Sequence, residues 1–131
     1  MISILKHQYL AIIWALIVLV LCDMPLSGGG SGDFFFEGFD KLVHTGFFFV
    51  FSILIFFGER SRKLDHNRFG ATVKVILITI LFGGGIELSQ LEIFTYRTAE
   101  WWDFFADMTG TGMAVFAYLF LYRTSNNEKS I

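Results

Sequence analysis

Four long apolar runs constrain this chain more than any other feature it has. They cover about Tyr9 to Cys22 (YLAIIWALIVLVLC), Leu42 to Gly58 (LVHTGFFFVFSILIFFG), Ala71 to Leu91 (ATVKVILITILFGGGIELSQL) and Phe104 to Tyr122 (FFADMTGTGMAVFAYLFLY). A helix that crosses about 30 Å of hydrocarbon needs roughly 20 mostly apolar residues. The first two runs reach that length by drawing on their flanks, the second on FEGFDK. Pro25 is the sole proline, so no run is interrupted by a residue that breaks helical hydrogen bonding. Composition agrees, with 54% apolar, 18% aromatic and 17% charged residues and a mean hydropathy of +0.59. At 131 residues there is room for a single domain, residues 1–131. The expected architecture is all-α: a polytopic membrane protein folded as a four-transmembrane-helix bundle.

The first run has the basic start of a signal peptide in Lys6 and His7, but no Ala-x-Ala site follows it. Leu21 also stands where a lipoprotein cleavage box before Cys22 requires a small residue. An uncleaved first helix is therefore expected. Cys22 is the one cysteine, which excludes an internal disulfide and a cysteine-based zinc site. A net charge of -2 gives no reason to expect a nucleic-acid partner.

Charge is segregated along the chain. With four spans, Lys6, Arg60, Arg62, Lys63, Arg68, Lys74, Arg123 and Lys129 share one side, and only Lys41 and Arg97 lie on the other. The second side also collects Asp23, Asp33, Glu37, Asp40, Glu87, Glu92, Glu100, Asp103 and Asp107. Basic residues accumulate on the cytoplasmic side of membrane proteins, so both termini are expected inside. The stretch PLSGGGSGD reads as a flexible outer loop, and EIFTYRTAEWWDF as a short aromatic one with Tyr96, Trp101 and Trp102 suited to the headgroup boundary. Lys74, near the inner end, is expected to snorkel.

Polar residues converge at the outer ends of three helices. Asp40, Lys41 and His44 open the second span, Glu87 and Gln90 close the third, Asp103 and Asp107 open the fourth, and Arg97 lies in the intervening loop. Asp40 and His44 are four apart, as are Asp103 and Asp107, while Glu87 and Gln90 are three apart, so each pair shares one helix face. A charge facing lipid costs at least about 2.5 kcal/mol, so these groups are expected to face the bundle interior or one outward-opening cavity. The small residues of FGGGIE and TGTGMA, with Gly110 and Ala114 four apart, are expected to let helices approach closely beside the carboxylates.

These residues, in this order, resemble the VanZ-like family of small bacterial membrane proteins. That family has Asp-Lys-x-x-His opening one helix, Glu-x-x-Gln closing the next, an Arg, then Asp-x-x-x-Asp or Asp-x-x-x-Asn, and a Gly. Asp40, Lys41, His44, Glu87, Gln90, Arg97, Asp103, Asp107 and Gly110 occupy those places, and the resemblance spans about residues 38–121. Asp107 stands where the family commonly has Asn, which adds negative charge. The resemblance implies a role at the bacterial envelope and a link to low-level resistance to teicoplanin-type glycopeptides.

Three functions fit the cluster. One is a site for the phosphate or pyrophosphate of a lipid-linked envelope intermediate, with Arg97, Lys41 and a protonated His44 contacting oxygen. Carboxylates outnumber Lys41 and Arg97 there, and a divalent metal on Asp40, Glu87, Asp103 and Asp107 would reconcile the charge. His44, Glu87 and Asp107 are then the candidate catalytic groups, with His44 or Glu87 as general base. The second function is binding without chemistry, either of a cationic drug or peptide or by shielding a glycopeptide's lipid-borne target. The third is a structural or partner subunit in which the same residues form an architectural ion-pair network.

Overall fold

The computed structural model describes the backbone of residues 2–23, 38–61, 67–92 and 101–129, and the side chains of all of these except 2–4, 40, 61 and 122–129. These residues form four helices: α1 (Ile2–Asp23), α2 (Phe39–Ser61), α3 (Arg68–Glu92) and α4 (Trp101–Lys129). All four are long and apolar enough to cross a membrane. Each outruns its apolar run, as helical hydrogen bonding continues into the flanking residues. The extension is largest in α4, which continues through Lys129 for a total of 29 residues.

Two helix starts are legible in local chemistry. Gly38 precedes α2 at φ 89°, a left-handed conformation that glycine adopts without steric cost, and its carbonyl accepts from Leu42 N at 3.2 Å. Asn67 caps α3, its Oδ1 accepting from the amides of Phe69 (3.1 Å) and Gly70 (3.3 Å).

Contacts between side chains set the helix directions. Lys41 meets Asp103, and further along Phe56 stacks on Tyr118 with ring centroids 4.0 Å apart, so α2 and α4 run parallel. Lys74 meets Glu59 while Phe82 packs on Phe48, so α3 runs antiparallel to α2. Gln8 bonds Glu59 while Trp14 Nε1 donates to Phe47 O, so α1 is also antiparallel to α2. The start of α2, the end of α3, the start of α4 and the end of α1 therefore share one end of the bundle.

The parallel pair α2–α4 makes the most extensive interface. Gly110 permits it: a Cβ there would strike the carbonyl oxygen of Thr45, and Ala114 one turn on is fully buried. This is the small-residue spacing that lets membrane helices touch backbone to backbone. Phe48, Phe51 and Phe82 pack in the space between α2 and α3, and Phe56, Val75 and Tyr118 fill the opposite half. Outward faces are apolar on every helix, with Leu16, Leu77, Leu81, Phe116 and Leu121 among the exposed side chains.

Candidate functional site: a polar seam between two parallel helices

Lys41 and His44 lie three apart in the first turns of α2, and Asp103 and Asp107 lie four apart in the first turns of α4. Parallel packing brings the pairs into register. Lys41 Nζ stands 2.8 Å from Asp103 Oδ1, and His44 Nδ1 stands 2.9 Å from Asp107 Oδ1. The two contacts differ in kind. Lys41–Asp103 is an ion pair whose lysine side chain is 35% exposed over a nearly sealed carboxylate. His44 and Asp107 are both buried, and Nδ1 is the donor in this contact whenever the carboxylate is ionised.

Hydroxyls continue the seam into the bundle. Thr45 Oγ1 donates to Lys41 O at 2.9 Å and is 3.2 Å from Ala106 O across the interface. Thr111 Oγ1 donates to Asp107 O at 3.1 Å, and Ser52 Oγ reaches Thr111 Oγ1 at 3.4 Å. From Asp103 to Thr111 the seam descends about 12 Å along α4 at 1.5 Å per residue. The hydroxyls of Thr45, Ser52 and Thr111 thus find partners inside the bundle, where lipid offers none.

α3 closes the seam through a glycine. A Cβ at Gly83 would lie 3.1 Å from Asp107 Oδ2 and 3.4 Å from the Phe48 ring. One turn beyond, Glu87 is half-buried, with Oε1 sealed from solvent. Gln90 turns elsewhere: its Nε2 donates to Cys22 O of α1 at 3.2 Å, and its buried Oε1 has no hydrogen-bond partner among the described residues. Ser89 Oγ adds to that second contact, donating to Ile86 O at 2.7 Å and lying 3.4 Å from Asp23 Oδ1.

The residues singled out in the sequence therefore divide. Lys41, His44, Asp103 and Asp107 come together between α2 and α4. Gln90 bonds the end of α1 through Cys22 O, because the third helix also packs on the first. Asp40 lies in the first turn of α2 with its side chain outside the described residues, and Arg97 lies outside them altogether. Among the described residues no three of His, Cys, Asp and Glu gather as a metal-binding group.

A second polar cluster, at the opposite end, has no counterpart among the sequence expectations. Glu59 Oε1 accepts from Lys74 Nζ at 2.7 Å and from Gln8 Nε2 at 3.0 Å, joining three helices. Gln8 Nε2 is also 3.3 Å from Ile55 O, and Gly58 makes room, since a Cβ there would strike His7 O and the Gln8 amide. Lys74 is thus held by a carboxylate rather than simply extended to the surface. The signal in the sequence is that Glu59 and Lys74 flank the α2–α3 connection at similar depth.

Compared with known proteins, the chain matches no family model, no curated protein and no solved structure. Fold and site define it only as far as an all-helical protein with four helices suited to a membrane and a charged seam between two of them.

Proposed function

We propose that this chain is a bacterial inner-membrane protein of the VanZ-like kind, with both termini cytoplasmic and its polar seam on the extracytoplasmic side. The orientation is supported by the eight-to-two division of Lys and Arg between the two sides. In this reading the seam binds the phosphate-bearing headgroup of a lipid-linked envelope molecule, and so bears on susceptibility to teicoplanin-type glycopeptides.

The exposure of Lys41 above its counter-ion carries the proposal. The Lys41 side chain is 35% exposed, whereas Asp103 is 4% exposed beneath it. A headgroup entering from the membrane surface meets the ammonium first, and the sealed carboxylate serves to hold that ammonium in place. An ammonium has three donors and is a compact point charge for phosphate oxygen. Arg97, between α3 and α4 in sequence, has a planar fork able to join a phosphate to a carboxylate.

Binding, not turnover, is what the geometry favours. His44 and Asp107 have the hydrogen-bonded arrangement of a base and its orienting acid, but both are sealed from solvent. Asp103 and Asp107 face Lys41 and His44, and this pairing supports a reading in which the seam presents a lysine cation to the headgroup. The architectural reading has its own support, because the Lys41–Asp103 ion pair and the His44–Asp107 contact both join α2 to α4 and lie largely inside the bundle.

Arg97 variants separate the two readings in cells. Arg97→Lys keeps a cation but loses the fork, and is expected to leave the extracted protein's thermal stability unchanged while weakening the glycopeptide phenotype. Arg97→Ala is expected to weaken it further, as unopposed acids repel one another or take up protons. Unchanged susceptibility and stability in Arg97→Ala would remove the loop cation from the site and favour the architectural reading.

A further inference from the structure

We draw no further inference here: the strongest candidate, the side-chain cluster where α3 meets the end of α1 and buried Gln90 Oε1 has no hydrogen-bond partner among the described residues, carries nothing, because Cys22 and Asp23 beside it are already engaged and nothing in the structure shows what donor that oxygen would meet.

Discussion

His44 Nδ1 and Asp107 Oδ1 meet at 2.9 Å between two parallel helices, with both side chains sealed inside the bundle. Neither group would be stable there alone. A carboxylate without a partner in a low-dielectric interior pays a desolvation cost that only a directed, charge-assisted contact offsets. Gly83 completes the enclosure by letting α3 pack against the other carboxylate oxygen.

A double-mutant cycle should therefore show strong coupling. His44→Leu and Asp107→Leu are each expected to lower the unfolding free energy by about 3–5 kcal/mol, because each strands a buried polar partner. The double variant should lose much less than the sum, since it strands none. Denaturant unfolding of the detergent-solubilised protein measures all three. Additive losses would mean that the two groups stabilise the fold independently.

Two glycines of one helix should behave oppositely. Gly110→Ala forces a methyl group against the Thr45 carbonyl, and backbone cannot turn aside as a side chain can, so α2 and α4 must separate. The expected loss is about 1–3 kcal/mol or more. A Cβ at Gly112 would meet nothing within 4 Å, so Gly112→Ala should be neutral or stabilising by up to about 1 kcal/mol through helix propensity. Thermal unfolding of the two variants side by side gives the comparison.

Much of this is legible in sequence, for reasons that differ by residue. Apolar runs longer than a soluble helix requires mark the four helices, and only their polar ends are underestimated. Lys41, His44, Asp103 and Asp107 are recognisable because charge inside an apolar run needs a protein partner. Their pairing is not, since it depends on α2 and α4 running parallel and in register. Gln90 shows the same limit: its spacing from Glu87 gives a shared helix face, but whether that face meets α1 or α4 is decided by packing. Glu59 does not stand out because it sits beside Arg60 in a basic stretch, where a solvated charge is the ordinary expectation.

Orientation can be tested without a structure. With Cys22 replaced, single cysteines at Ser31 and Thr98 should react with an impermeant thiol reagent in whole cells, and one at Asn67 should not. The expectation follows from the side on which Lys and Arg accumulate. Labelling at all three positions, or at position 67 alone, would reverse or dissolve the proposed topology.

Headgroup binding itself is tested most directly by the purified protein's retention of a polyprenyl phosphate against the matching polyprenyl alcohol. The decisive variant is Lys41→Gln with Asp103→Asn, which removes the rim cation without leaving a buried charge unpaired, so the fold should survive. Wild-type protein is expected to retain the phosphate and not the alcohol, and the double variant to keep its unfolding temperature while losing the phosphate. Equal retention of both lipids by the wild type, or undiminished phosphate retention by the folded double variant, would contradict a headgroup site at Lys41.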